Sequence, residues 1–313
     1  MIVTLTMNPA LDKSTSVSRI ISEKKLRCEP MIIEAGGGGI NVSKAIQELG
    51  GFSQAIFPAG GNNGKLLKEL LNESKISFKS IPVSPETREN FTVTESSRNS
   101  QFRFVLPGES LNDYELKSVL SIISAMNPFP DFIVASGSLP PGTPHDFYRQ
   151  VAAICNAKGA KCIVDASGYP MPSSSTGNIH LLKASLSELC SISGVENLQL
   201  HEIEEAAKEI VNKRNCNIVV VSLGQAGALL VTKDEKISIA APMVKRMSTV
   251  GAGDSMVAGI VWKMQQSSSL REMIQFGVAC GTAAIMNPGT QLFKKRDVFK
   301  LYDWLRKQDI GQI

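Results

Sequence analysis

Short, continuously apolar runs alternate with helical patterns along most of this chain. Phe132-Ile133-Val134-Ala135 and Ile218-Val219-Val220-Val221 are apolar at every position rather than at every second one. Such a strand is buried on both faces, which happens when helices cover both sides of a parallel sheet. Residues 2–6, 55–57, 162–164 and 180–182 read as further strands. Val42, Ala45, Ile46 and Leu49 recur at helical spacing before Gly50-Gly51, and helices are expected over 65–73, 147–158 and 203–211. The alternation predicts an α/β fold with a mostly parallel sheet, flanking helices and right-handed crossovers. At 313 residues, one such domain spanning 1–313 is expected.

Two segments break that rhythm. Residues 14–31 and 91–106 carry short strand-like patterns with no helix between them. Phe102, Phe104 and Leu106 alternate with Arg103 and Val105, after a turn over 96–100. A small separate β-sheet is expected from about 12–32 and 88–106. Its apolar face needs a cover. That cover is its own domain if the segment is an edge hairpin. It is a second subunit if the sheet is a lid over a site, which makes the protein a homodimer.

Bulk properties exclude several classes. A net charge of +4 is too small to argue for nucleic acid, although it suits an anionic small molecule. The six cysteines form no C-x-x-C pair and the three histidines have no metal-ligand spacing, so reduced thiols and a cytoplasmic location are expected. No basic segment followed by an apolar run opens the chain, so no signal peptide is expected. Residues 273–293 lack charge but contain Gln275, Thr282, Asn287, Pro288, Gly289, Thr290 and Gln291. A buried helix running into a polar loop is expected there, not a membrane span.

Chemistry concentrates in glycine-rich turns. Ser248-Thr249-Val250-Gly251-Ala252-Gly253-Asp254-Ser255 precedes an amphipathic run and reads as a turn opening a helix. First-turn N–H groups lack intrahelical partners and face the positive dipole end, so they attract an anion. Gly251 and Gly253 permit close approach. Asp254 is then either a base for a hydroxyl being phosphorylated or an ordinary helix cap. Gly36 to Asn41 also opens a helix, but Asn41 and Val42 stand where a dinucleotide fingerprint needs glycine. What remains is a run of backbone N–H groups close to a ligand, or a structural turn. Ser222, Gly224 and Gly227 follow the β-branched strand, at a place suited either to a ligand or to a hairpin. Lys183 and Glu188 could serve a phosphate and Mg²⁺, or be a solvated pair. Asp12, Lys25, Arg27, Arg88 and Arg103 put charge on the expected lid.

In this order the motifs resemble those of the ribokinase-like sugar kinases, the PfkB group, over essentially the whole length. Residues 4–12 are similar to the opening of hexose-phosphate kinases, 36–41 to the first signature and 250–254 to the second. Glu34 to Val42, Phe57 to Gly61 and Ser136 to Gly142 resemble the branch acting on fructose 6-phosphate. Kinases of fructose 1-phosphate or tagatose 6-phosphate usually carry lysine where Gly38 stands. The resemblance implies a ribokinase-like fold, with ATP and Mg²⁺ and transfer to the C1 hydroxyl of fructose 6-phosphate. Asp254 would be the base, with the Gly251, Ala252 and Gly253 amides holding the developing charge. Asp12, Gly37, Gly38, Asn41 and Ser138 would orient the sugar, and Arg27 and Arg88 would neutralise its phosphate. Lys183, Ser222, Gly224, Gly227 and Thr249 would line the nucleotide site. Ser248, Val250, Asn287 and Gly289 would hold a monovalent cation such as K⁺. One departure stands out: the usual Lys-Pro-Asn-x-x-Glu is Lys183-Ala184-Ser185-Leu186-Ser187-Glu188, so Ser185 replaces the amide that organises metal-bound water beside Glu188. The alternatives are a 1-phosphofructokinase, a tagatose-6-phosphate kinase, a non-catalytic sugar-phosphate-binding protein and a nicotinamide dehydrogenase, the last opposed by the failed fingerprint.

Overall fold

The structure, a computed structural model, describes residues 1–98, 100–166, 177–213 and 216–310. Its first half runs β1 (Ile2–Leu5), β2 (Ala10–Val17), β3 (Ile32–Gly36), α1 (Gly38–Glu48), β4 (Ser53–Ala59), α2 (Gly61–Glu73), β5 (Ser77–Pro82), β6 (Arg88–Glu95), β7 (Ser100–Val105) and α3 (Asp113–Ser124). The second half runs β8 (Phe132–Gly137), α4 (Phe147–Ala157), β9 (Lys161–Ala166), β10 (Ile179–Ser185), α5 (Leu186–Ser193), α6 (Leu200–Lys213) and β11 (Cys216–Ser222). It ends with β12 (Ala228–Val231), β13 (Lys236–Ile239), α7 (Ala252–Gln265), α8 (Leu270–Ala284) and α9 (Lys295–Ile310).

Among the described residues, nine strands make one sheet in the order β13-β12-β11-β10-β9-β8-β1-β4-β5. Every pair from β5 to β11 is parallel, and β12 and β13 add an antiparallel edge. The continuously apolar runs occupy the sheet's centre: Ile133, Val134, Ala135, Val219, Val220 and Val221 are all fully buried. Two apolar clusters cover the two faces, one with α3 to α6 and the other with α1, α7, α8 and α9. The chain leaves β1 toward β4 and β5, then returns to the other side of β1 as β8. Connections that diverge from adjacent strands open a crevice at their carboxyl ends, where ligands bind in open α/β sheets.

A second sheet has the order β3-β2-β6-β7. A separate β-sheet was expected here, but its boundaries differ. Residues 18–31 carry no strand, and β2 pairs with Ile32–Gly36 instead. Arg19, Glu23, Lys24, Lys25, Arg27 and Glu29 interrupt any apolar alternation, and Glu23 turns at φ 60°. Asn99, in the expected turn, lies outside the described residues. Phe102 and Phe104 leave exposed apolar side chains on one face of this sheet, and Ile32 and Val105 on the other.

The uncharged stretch after 273 is α8, buried from Met273 to Ala284. Glycines bring α7 and α8 together: a Cβ at Gly259 would lie 2.6 Å from Cys280 Sγ, and one at Gly277 2.7 Å from Ile260 Cγ1. Burial on all sides, not a bilayer, accounts for the apolar composition. Among the described residues no helix is long and apolar enough to cross a membrane.

Candidate active site

The turn before α7 forms as its glycines require. Gly251 is the N-cap residue, with φ 71°, and a Cβ there would press on Leu292 Cδ2 at 2.5 Å. A Cβ on Gly253 would stand 2.7 Å from Lys183 Nζ. The two glycines thus leave room for Leu292 and Lys183 beside the first turn of α7, whose N–H groups lie at the positive end of the helix. Asp254 lies in that first turn but does not cap it. Its carboxylate accepts a hydrogen bond from Asn41 Nδ2 at 2.9 Å and lies 3.5 Å from Ser136 Oγ.

Asn41 is carried by the first turn of α1, which sits on the ends of β1 and β8. Gly37 has φ 114° and packs against Thr6 and Pro9, while Ile40 N–H donates to Thr6 Oγ1 at 2.9 Å. A Cβ on Gly38 would come 2.3 Å from Ser136 Oγ. In this packing the position has no room for a lysine. Asp12, on β2, faces the same crevice and accepts from Asn90 Nδ2 at 2.8 Å. Burial raises its pKa, against the pull of Asn90, Lys44 and Arg88. Gly36 must be glycine because a Cβ would fall on the Asp12 carboxylate.

Behind Asp254 lies a buried ion pair, Lys183 Nζ to Asp165 Oδ1 at 2.8 Å. Ser136 Oγ donates to Asp165 Oδ2 at 3.0 Å, so its single proton is directed away from Asp254. Burial alone would lower the Lys183 pKa, but the charges of Asp165, Glu188 and Asp254 outweigh it and raise the pKa. Asp254 is pushed up to about 7 by burial first and by the Asp165 charge second, with Asn41 and Lys183 opposing. It keeps some surface open to the crevice while being densely surrounded.

A cavity of about 440 Å³ opens on the other side of the glycine turn. Ser222, Gly224, Gly227, Thr249, Ala252 and Gly253 line it, together with the loop 241–244 and the α8 residues Val278, Gly281 and Thr282. Its volume falls in the range of small-molecule sites, about 300–1,000 Å³. Lys183, expected to line the nucleotide site, does not line this cavity; it lies beneath Gly253, held by Asp165. Gly227 is a structural glycine, since its Cβ would meet Ile239 O at 1.9 Å, whereas Gly224 faces open space.

The remaining expected residues divide. Ser185 and Glu188 form a capping box at α5: Ser185 Oγ accepts from Glu188 N–H at 3.2 Å, and Glu188 Oε2 accepts from Ser185 N–H at 2.6 Å. Neither is a free solvated side chain, and one oxygen of each already has a structural role. Ser248 is buried; its Oγ lies 2.7 Å from Gly289 O and accepts from Val250 N–H at 3.2 Å. Asn287 donates to Ala283 O at 3.0 Å at the end of α8. Ser138 Oγ accepts from Asn8 Nδ2 at 3.3 Å. Arg88 is a staple: Nε and Nη2 both reach Asn8 O, at 3.2 and 3.1 Å, and Nη1 reaches Leu106 O at 2.6 Å. Much of its donor fork is therefore committed to backbone carbonyls before any phosphate arrives. Arg27 is exposed in the segment between β2 and β3. Arg103 Nη2 donates to Thr249 Oγ1 at 2.7 Å, and Gln101 Oε1 lies 3.3 Å from Ser248 Oγ, so β7 touches the segment leading into the glycine turn.

Asp165 was not singled out from the sequence, nor were Asn8 and Asn90. Asp165 carried a usable signal, a carboxylate at the carboxyl end of an apolar strand. The polar chain Asn41–Asp254–Ser136–Asp165–Lys183 and the cavity beyond the glycine turn can be compared with known proteins. The family model described as "pfkB family carbohydrate kinase" matches residues 5–296. The chain belongs to the PfkB family of carbohydrate kinases. It is 42% identical to the Escherichia coli (strain K12) protein named ATP-dependent 6-phosphofructokinase isozyme 2, over 98% of this chain and 99% of that one. The crystal structure of phosphofructokinase-2 from Escherichia coli in complex with potassium superposes with a TM-score of 0.91, at 41% identity over 97% of this chain and 99% of that one. The tetrameric inhibited form of the same enzyme superposes with a TM-score of 0.89, at 40% identity and the same coverage. The sheet of this PfkB protein, mostly parallel and flanked by helices, is thus the ribokinase-like fold.

Proposed function

We propose that this chain transfers the γ-phosphoryl group of ATP to the C1 hydroxyl of fructose 6-phosphate, giving fructose 1,6-bisphosphate. The observation that carries this reading is the position of Asp254. It is bonded by Asn41, lies 3.5 Å from Ser136 Oγ, feels the charge of Asp12, and follows directly on Gly253 at the wall of the cavity. The 42% identity to a 6-phosphofructokinase supports the choice of acceptor.

In this reading ATP occupies the cavity with its phosphates toward Gly253, and Ser222, Gly224, Gly227 and Thr249 line its path. Asp12 and Asn41 orient the sugar hydroxyls, with Gly37, Gly38 and Ser138 at the crevice wall and Arg88 and Arg27 toward the sugar phosphate. Asp254 takes the C1 proton. A base with a pKa near 7 is matched to neutral pH. The amides of Gly251, Ala252 and Gly253 meet the charge growing on the transferring group. Lys183 and Asp165 act from behind: the lysine keeps Asp254 partly ionised, and the aspartate keeps its proton affinity high.

Among the described residues, no group of three or more His, Cys, Asp and Glu side chains could hold a metal ion. A Mg²⁺ here is one bound chiefly by phosphates, as is usual for this ion. The Glu188 carboxylate, through a water and its oxygen left free by the capping box, fits the rim of such a site, with Ser185 beside it. When bound, Mg²⁺ neutralises charge on the phosphates. Ser248 Oγ and the backbone carbonyls of Val250 and Gly289 supply hard oxygen ligands suited to K⁺, and Asn287 adds a further carbonyl nearby. The second sheet is a lid, within a single kinase domain spanning 1–313. Its exposed Phe102 and Phe104, on one face, pack against the lid of a second copy. A cytoplasmic setting agrees with six free thiols.

Gly38 favours this acceptor over those of a 1-phosphofructokinase or a tagatose-6-phosphate kinase. Asp254 favours turnover over mere sugar-phosphate binding. A coupled assay with ATP across fructose 6-phosphate, fructose 1-phosphate, tagatose 6-phosphate and fructose tests the reading. The expected result is the highest kcat/KM with fructose 6-phosphate. Preference for another acceptor would sink the branch assignment, and binding without turnover would sink the kinase.

A further inference from the structure

The mouth of the large cavity is formed on one side by the loop that follows β13. Ala241, Pro242, Met243 and Val244 line it in succession. Met243 is 101% exposed, whereas Met256, on the inner wall of the same cavity, is 7% exposed. A single exposed methionine is ordinary on a surface. This one is attached to the rim of an apolar cavity, directly after a proline that restricts the backbone presenting it. Ala241, Val244, Val278 and Ile285 give this cavity an apolar wall, with Gln225, Arg246 and Thr282 as polar side chains also lining it. A heteroaromatic base against that apolar wall gains from an apolar contact on its exposed face. A thioether on three rotatable bonds is well suited to that, because it adapts to a flat ring and its sulfur is favourable at the ring edge.

We propose that Met243 is the flexible cover of the nucleotide cavity, folding over the bound purine, and that oxidation of its sulfur by a peroxide weakens nucleotide binding. The proposal rests on the cavity being the nucleotide site. In the oxidation, a sulfur lone pair attacks one peroxide oxygen. An S–O bond forms as the O–O bond breaks, and the departing hydroxide takes the proton from the transferred oxygen and leaves as water. The thioether loses two electrons and the peroxide gains them. The sulfoxide is polar and a poor cover for an apolar pocket, and methionine sulfoxide reductases reverse it. Solvent access favours the site: Met243 is 101% exposed, against 49% for Met31 and 44% for Met247, while Met256, Met264 and Met273 are buried.

The test follows sulfoxide at each methionine by peptide mass spectrometry during hydrogen peroxide exposure of the full chain. Runs are made alone, with a non-hydrolysable ATP analogue, and with fructose 6-phosphate. Amide hydrogen exchange at 222–227, the opposite wall, is measured in parallel. Met243 should oxidise ahead of Met256, and the nucleotide analogue, not the sugar phosphate, should slow it. After a thiol reductant has restored the exposed Cys28, KM for ATP should remain raised by about 2- to 10-fold, the span of a sulfur–aromatic contact. The kcat and the KM for sugar phosphate should hold, and methionine sulfoxide reductase should reverse the change. In Met243→Leu, peroxide should leave the KM for ATP where it was before treatment. If the nucleotide protects 222–227 but leaves Met243 oxidising at its free rate, the cover is refuted while the cavity assignment stands. If it protects neither, the cavity assignment falls and the cover with it. Equal peroxide sensitivity in Met243→Leu would also overturn the proposal.

Discussion

Asp254→Asn should cost activity and add stability, and the two effects have one origin. The amide keeps the shape of the side chain and still accepts the Asn41 hydrogen bond. It cannot accept a proton, and loss of a general base typically costs about 100- to 10,000-fold in rate. The stability gain follows from the pKa. A carboxyl raised from 3.8 to about 7 binds its proton more tightly in the folded chain than in the unfolded one. Between those values the folded state holds a proton that the unfolded state has lost, so this group's stabilising contribution falls as pH rises through the window. Below pH 4 the parent carries no penalty at this site; above pH 7 it carries all of it. Taken whole, the shift corresponds to about 4 kcal/mol. Two effects reduce it. Asp254 is partly open to water, which screens its repulsion from Asp165, and its charge gains about 0.3–1 kcal/mol from the N-terminus of α7. A net gain of about 1–3 kcal/mol at pH 8 remains, worth roughly 2–6 °C in Tm for a chain of this size. Calorimetric unfolding without ligands, at pH 4, 6 and 8, measures it. The Tm difference between variant and parent should grow with pH while a coupled assay shows kcat nearly abolished. A pH-independent difference would refute the raised pKa. A near-parental kcat would refute the base.

Other perturbations reach different parts of the same site. Asp165→Asn removes the second-largest cause of the Asp254 shift, so the acidic limb of kcat/KM, expected near pH 7 in the parent, should move to lower pH; an unmoved limb would separate Asp165 from the base. The same change leaves Lys183 buried without its partner and should cost about 3–5 kcal/mol in denaturant unfolding. Arg88→Ala should raise KM for the sugar phosphate well above any effect on KM for ATP; equal effects would assign it solely to stapling Asn8 and Leu106. Asn is as good an N-cap as Ser, so Ser185→Asn should leave Tm within about 1 °C while lowering the Mg²⁺ needed for half-maximal rate; superimposable titrations would remove position 185 from the metal site. Phe102→Asp combined with Phe104→Asp should turn a dimer into a monomer in sedimentation velocity, and a parent that is already monomeric at micromolar concentration would refute the lid interface.

The parallel sheet was legible because its central strands are buried on both faces and so are apolar at every position. Legibility faded where a strand is half exposed. β5, Ser77-Phe78-Lys79-Ser80-Ile81-Pro82, sits at the sheet edge and mixes polar with apolar residues without a clean period. β3 was hidden by the charged segment before it. α3 was missed although its start is written plainly: Asn112 and Glu115 form a capping box, and Leu116, Val119 and Ile123 keep helical spacing on its buried face. The second sheet was recognised from alternation around Phe102 and Phe104. Its other edge was not, because that register depends on β2 pairing with residues beyond a loop.

The site divides along a similar line, between what a turn fixes locally and what assembly creates. Gly36, Gly37, Gly251 and Gly253 announce close approach within a few residues of sequence, and each does meet a neighbour that a Cβ would strike. Asp254 could be read beside them as a base or a cap, and local pattern could not separate the two. In the folded chain no side chain caps α7, Asn41 bonds Asp254 across 213 positions, and Asp165 and Lys183 arrive on β9 and β10. These partners also give Lys183 a second role to weigh. Seen alone at the end of a strand, a lysine invites a phosphate. Seen against Asp165, one of its three donors is committed, and its charge also acts on Asp254. The Asp254 pKa near 7 comes from burial first and the Asp165 charge second, with Asn41 and Lys183 pulling it down. No such effect belongs to a motif. It arises because parallel strands end at one level, which brings buried charges from separate crossovers within a few ångströms of each other.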